Sequence, residues 1–298
     1  MKTAPNFRTK PRPAQPPARV RCRQIGEADL EAVADLLTVG FPARTRDYWT
    51  RGLERMRLRA APADHPRFGY MLECEGRAVG VVLLIFSERA DGMRCNISSW
   101  YVDEAYRGLA PMLTSAAMKL KHVTYVNTSP AEHTRPILTA RDYVRYSDGQ
   151  FVALPALSGL ARDWRVAPFN AQDARHRFID DEASLLQRHV EDGCTVLIVG
   201  TPEGPEPFVM IPRRILYSPV AVMQLVWCRD TQSFVRCAGP LGRALIKRGV
   251  GAVILDANGP IEGLMGLYVP GKAPRYFHGP TQPRLNDLAF TEAVVFGA

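Results

Sequence analysis

The chain has 298 residues, long for one ordinary domain and comfortable for two. Apolar residues make up 46% and charged residues 23%, the balance of a soluble globular protein, and the longest apolar run (79–86) is of strand length, which excludes a helical membrane span. The formal charge of +8 sits mostly ahead of Glu27, where Lys2, Arg8, Lys10, Arg12, Arg19, Arg21 and Arg23 stand without an acid, so about +1 is left for the rest.

Prolines at 5, 11, 13, 16 and 17 keep this basic tail extended. It lacks the aromatic interleaving of a base-stacking arm, so residues 1–19 read as a disordered terminus and nucleic-acid binding ranks last. No apolar core follows the basic start, so no secretory leader is expected. The six cysteines (22, 74, 95, 194, 228, 237) form no C-x-x-C pair, and no two histidines are spaced i, i+4. That spacing supports neither zinc nor a disulfide framework, and a reducing cytoplasm is the expected location.

Along the chain, 20–24 alternates as a strand. Leu30, Val33, Leu37 and Phe41 share one helix face, and Pro42 stops it. Thr45 caps a second helix through Trp49, Leu53 and Met56. Then the period changes. Residues 70–73 and 79–86 form a hairpin around Glu75-Gly76, and 96–102 is a further strand after a turn at 90–93. Met112, Leu113, Ala116, Ala117 and Leu120 make another helix face, 122–127 a strand and 134–143 a short helix. The segment up to Pro155 reads as a last hairpin around Ser147-Asp148-Gly149.

The second part repeats this order. Residues 173–189 are helical in pattern; 194–200 and 208–216 make a hairpin; 220–227 is a strand; 240–248 a helix and 252–256 a strand. Hairpin, strand, helix, strand thus occurs twice, which implies a mixed α/β sheet repeated in tandem, divided near 157–164 into units 20–157 and 165–298. The stretch 268–284, rich in Gly, Pro and aromatics, reads as a long loop, either a substrate loop or plain surface.

The chemistry concentrates at Trp100–Pro111, WYVDEAYRGLAP. A strand leads through an Arg-Gly loop into a helix, whose N-terminal amides and dipole suit phosphate. No Gly-Lys-Ser/Thr follows and no G-x-G-x-x-G is present, so P-loop and Rossmann readings fail. The element order and the phrase V-D-E-A-Y-R-G-L-A resemble the GNAT acyltransferase family over residues 20–155. The resemblance implies an α/β fold and an acetyl-CoA or other acyl-CoA donor. Its pyrophosphate would lie on the R/Q-x-x-G-x-G/A loop, here Arg107, Gly108, Leu109, Ala110 and Met112. Arg107 matches the first position; Ala110 and Met112 replace small family residues, and Pro111 supplies no amide. Trp100, Tyr101 and Val102 would line the pantetheine arm, and Asn127 would face the acyl group.

The tyrosine acid common in that family falls on Leu138, leaving Tyr125, His133 or water in its place. Glu73 and Glu75 are candidate bases on the central hairpin, though each reads first as a solvated hairpin residue. In the second unit Arg236-x-x-Gly239 before Leu241 reads as a turn into a helix or a second phosphate loop, and Asp256 to Asn258 as a turn or a polar pair. The expected activity is acyl transfer to an amine of a small molecule or amino sugar. A non-catalytic acyl-CoA-binding protein and transfer to a saccharide hydroxyl are the alternatives. No metal and no membrane partner is implied.

Overall fold

A computed structural model describes residues 19–159, 162–174, 178–213 and 221–297. Residues 1–18 of the basic tail, 175–177 of a predicted helix, and 214–216 and 220 of predicted strands lie outside the described residues. The first half runs β1 (Val20–Gln24), α1 (Leu30–Gly40), α2 (Arg46–Leu58), β2 (Gly69–Cys74), β3 (Arg77–Arg89), β4 (Gly92–Val102), α3 (Ala110–Ala117), β5 (Thr124–Asn127), α4 (Arg135–Thr139) and β6 (Val144–Ala153). The second runs β7 (Val166–Pro168), α5 (Ala171–Ala174), α6 (Asp180–Glu191), β8 (Thr195–Thr201), β9 (Gly204–Arg213), β10 (Ala221–Cys228), α7 (Thr231–Ile246), β11 (Val250–Ala257), β12 (Gly266–His278) and α8 (Glu292–Val295).

Local sequence explains most of these elements. Val33 and Leu37 of α1 are fully buried, as their spacing requires. The Thr45 hydroxyl accepts a hydrogen bond from the Tyr48 amide and starts α2. Residues 78–86 of β3 are buried without interruption because helices cover both faces of that strand.

All strands form one sheet in the order β1-β2-β3-β4-β5-β12-β6-β11-β10-β9-β8-β7. β1 to β6 therefore correspond to β7 to β12, with one exchange in the centre. β6 pairs with β11 of the second half, and β12 pairs with β5 of the first, all antiparallel. β6 and β12 then pair with each other, joining the halves edge to edge. Two large cores, on α3 and on α7, lie on one face of the sheet. Two more, on α1–α2 and on α6–α8, lie on the other.

The exchange corrects two readings of the sequence. Ser147-Asp148-Gly149 is no hairpin turn but mid-strand, because β6 is clamped between two partners: Gly149 pairs with Ala257 and Pro270. A Cβ on Gly149 would lie 2.5 Å from the Val269 carbonyl, so glycine serves close strand approach there. Residues 268–278 are likewise no surface loop but the body of β12. Its prolines fit because the register slips between Pro270 and Arg275, where Gly271 adopts φ +69°.

The chain after β12 crosses the face that carries α1, α2 and α6. Asp287 bridges to Trp227 of β10 and receives Arg89 at 2.8 Å and Arg94 at 3.0 Å from the tip of the β3–β4 hairpin. All three side chains are under a tenth exposed. Further on, Phe296 packs on Trp49 with ring centroids 5.6 Å apart, and the Arg55 guanidinium donates to the Val295 carbonyl.

Burial opposes ionisation of Asp287, but the two guanidiniums outweigh it and hold the carboxyl below the ordinary carboxylate range. A depressed native pKa contributes stability that is present above the unfolded-state value and lost as pH falls through the native one. Asp287→Ala, which strands buried Arg89 and leaves Arg94 only the half-exposed Asp91, is expected to cost about 3–5 kcal/mol in denaturant unfolding. It should also flatten the acid limb of the wild-type stability profile. A loss under 1 kcal/mol would show that the pair does not fasten the halves.

Candidate active site

β4 and β5 run parallel and pair only from Arg94↔Thr124 to Asn96↔Val126. Beyond that point β4 continues to Val102 against β3 alone, so the two strands diverge. The divergence coincides with a bulge. Ser98 opposes Leu83 and Tyr101 opposes Val81, which leaves one extra residue on β4, and Ser99 takes φ +46°. The bulge resets the alternation of side chains. Trp100 then points to the α3 face, while the Tyr101 ring covers Gly40 on the α1 face. On the α3 face, Ile97, Trp100, Met118, Asn127, Leu138 and Tyr143 line a narrow slot beside the opening.

The loop from β4 to α3 is wound more tightly than the sequence suggests. Glu104–Leu109 form a 3-10 turn continuous with α3, and the Ala110 amide donates to the Arg107 carbonyl. Pro111 occupies the first turn of α3 without an amide. Arg107 is exposed and makes only a 3.9 Å contact with Glu104. A Cβ on Gly108 would meet nothing within 4 Å, so the backbone there is open. Leu109 and Ala110 are half-buried against the α3 core, and Met112 is exposed. Val102 is buried in that core.

The slot brings Trp100 and Asn127 together. It does not include Tyr125 or His133. Tyr125 lies within the α3 core, where its oxygen accepts a hydrogen bond from the Leu120 amide and burial pushes its pKa up to about 12. His133 is exposed on a turn before α4. Glu73 lies at the far edge of the sheet, where Arg23 and then Arg21 hold its carboxyl below the ordinary range. Glu75 is an exposed turn residue with φ +51°.

A residue with no sequence signal occupies the other side of the opening. Glu292 begins α8, and its amide donates to the Asn96 side chain at 2.7 Å. Its carboxylate accepts from Ser98 of β4 at 2.5 Å, from Thr128 at 3.0 Å and from Ser129 just beyond β5. Glu292 thus spans both diverging strands. Among the described residues no cation lies within ion-pair distance of it; three hydroxyls hydrogen-bond the carboxylate, which is also partly open to solvent.

The second half has the same frame with a different content. β10 pairs with β11 only as far as Gln224↔Ile254, and a bulge follows between Leu225 and Trp227. Here the opening is filled by the chain itself. Asn286 exchanges hydrogen bonds with the Asp256 backbone, and the Leu288 amide donates to the Val226 carbonyl. α7 begins directly after β10, nine residues earlier than its periodicity suggests, and the Asp230 carboxylate caps it by accepting from the Ser233 amide at 2.7 Å. The helix end that would attract an anion already holds one. Arg236-x-x-Gly239 is therefore mid-helix and no phosphate loop. Asp256 is spent on a buried ion pair with Arg275 at 3.0 Å, and Asn258 ties β11 to β6 through the Asp148 amide and the Tyr146 carbonyl.

Among the described residues no cluster of His, Cys, Asp and Glu could hold a metal ion, and no helix is long and apolar enough to cross a membrane.

No family model and no curated protein matches the chain. Solved structures do match its architecture. A GCN5-related N-acetyltransferase from Kribbella flavida aligns with a TM-score of 0.55 at 14% identity, over 87% of this chain and 71% of its own. One from Anabaena variabilis gives 0.54 at 10% identity, over 87% and 72%. A GCN5-related glucosamine N-acetyltransferase region of a fungal multi-domain beta-N-acetylglucosaminidase gives 0.54 at 11%, over 88% of this chain and 38% of that one. At such identities the likeness concerns architecture, and it agrees with the diverging strand pair that the chain builds twice. The protein is built on the GCN5-related N-acetyltransferase (GNAT) fold, two copies of it in tandem.

Proposed function

We propose that the protein moves an acyl group from acetyl-CoA or another acyl-CoA to the amine of a small molecule, using one site on the first unit (20–157) to which the second unit (165–298) contributes Glu292. The observation that carries this reading is Glu292, a carboxylate with no ion-pair partner among the described residues, held across the divergence of β4 and β5. Acyl-CoA supplies an activated thioester carbonyl. Trp100 and Asn127 would flank its arm in the slot, beside the backbone of Tyr101 and Val102. Arg107 and the open backbone at Gly108, with Leu109, Ala110 and Met112 alongside, would face its pyrophosphate. That turn offers a guanidinium and an uncovered glycine in place of a row of free amides.

The acceptor amine would enter from the α1–α2 face and give its proton to Glu292. Ser98, Thr128 and Ser129 fix the carboxylate, and Asn96 fixes the backbone that carries it. The extra residue of the β4 bulge, left outside the ladder, is a backbone donor for the thioester oxygen. A thiolate is a good leaving group, so the leucine at 138 does not stop the reaction. An amino sugar fits as acceptor, glucosamine being the substrate of one neighbour in fold. The wound turn at 104–109 favours a second reading, a non-catalytic acyl-CoA binder. CoA raising the melting temperature without thioester turnover on amine or saccharide panels would establish it.

Glu292→Gln is expected to lower kcat by about a hundredfold or more while leaving the Kd for CoA within about twofold. An unchanged kcat would remove Glu292 as the base. Arg107→Ala should weaken CoA binding by about three- to tenfold in low-salt calorimetry, less at high salt. Unaltered affinity at low salt would take the pyrophosphate away from this loop.

A further inference from the structure

The middle of the face that carries α1, α2, α6 and α8 is polar, although apolar cores flank it on both sides. Strand alternation places its residues. Val209 and Ile211 pack under α6, so Arg213 at the end of β9 faces the same way. Gln224 lies between Val222 and Val226 on β10, and Gln150 lies two residues before Val152 on β6. Val152, Val222 and Ile254 form an apolar patch beside them.

The polar groups divide into compensated and uncompensated ones. Arg275 and Asp256 satisfy each other through two hydrogen bonds of 3.1 and 3.0 Å. Gln150 and Gln224 are 6% and 3% exposed, and among the described residues no hydrogen bond ends on their side-chain amides, whose atoms are not sealed from solvent. Unpaired by the protein and reachable from solvent, the two amides are free to bond a ligand at this patch. Arg213 and Arg44 have no carboxylate at ion-pair distance among the described residues. Burial, and then the like charges of Arg275 and Arg44, push the pKa of Arg213 down, which places these cations in one field. Arg44 lies 4.5 Å over the ring of Tyr48, and that ring meets Phe296 at 6.0 Å, one helical turn beyond Glu292.

We propose that this patch is the acceptor pocket and that the acceptor amine carries an anionic group, a carboxylate or a phosphate, bound by Arg213 and Arg44. Gln150 and Gln224 hydrogen-bond the body of the molecule, and its amine faces Glu292. The proposal rests on the acyltransferase reading for the direction of the amine, but anion recognition is measurable without acyl transfer.

Equilibrium dialysis at low salt would compare two matched pairs, glucosamine 6-phosphate with glucosamine and phenylalanine with phenethylamine. The member of at least one pair that carries the phosphate or carboxylate is expected to bind about tenfold or more tightly than the member without it, and the pair that shows it identifies phosphate or carboxylate. Arg213→Gln should abolish that preference, and Arg44→Gln, at an exposed position, should reduce it, with circular dichroism confirming that both variants are folded. Equal binding within both pairs, no binding of either anionic probe at millimolar concentration, or a preference untouched by both variants overturns the proposal. A retained anion preference in a protein that neither binds CoA nor turns over thioester would overturn the acyltransferase reading alone. Transfer confined to amines without an anionic group would do the reverse.

Discussion

The crossed pairing of β6 and β12 is the constraint on which the molecule depends. Each half lacks the strand that covers the outer edge of its fifth strand, and each receives it from the other. An uncovered edge is a row of unpaired backbone donors and acceptors, so neither half has a complete sheet alone. The exchange makes the two copies one sheet and one cooperative body. It also brings the chain after β12 onto the face between the copies, where the candidate chemistry lies.

That terminal segment treats the two copies unequally. The frame is the same in both: a parallel pair that opens after a few residues, and a bulge beside the opening. In the second copy the segment closes the opening with backbone and Asn286. In the first it delivers a carboxylate. The helix termini follow suit. α7 is capped by its own Asp230, whereas the turn before α3 leaves Arg107 and Gly108 facing solvent. One copy keeps its opening, and the other has turned its own into packing.

How much of this the sequence reveals depends on distance along the chain. The repeat of hairpin, strand, helix and strand is local, so apolar periodicity at residues such as Val33, Leu37 and 79–86 discloses it. The stretch at 100–111 is also legible, because strand, glycine and helix are neighbours there. The centre of the sheet is not. Gly149 looks like a turn glycine and serves a close strand contact; Pro270 and Gly271 look like a loop and sit in a strand whose register slips around them. Both errors arise because tertiary pairing overrides local preference. The start of α7 is missed because Gly239 and Pro240 read as helix breakers, yet both are buried within it. Glu292 has no motif at all. It is separated by 194 residues from Ser98, and only the path of the terminal segment joins them.

The exchanged strands also order events during synthesis. β5 leaves the ribosome with its outer edge bare, and its partner β12 begins about 140 residues later. At 5–20 residues per second that is roughly 7–30 s of exposure. The first half must wait for nearly the whole chain before its sheet is complete. During this interval the open edge of β5 is the natural target for chaperones or for mispairing with a second nascent chain. Long-range pairing of this kind places the protein among slow folders, and its yield in a cell depends on how well that interval is guarded.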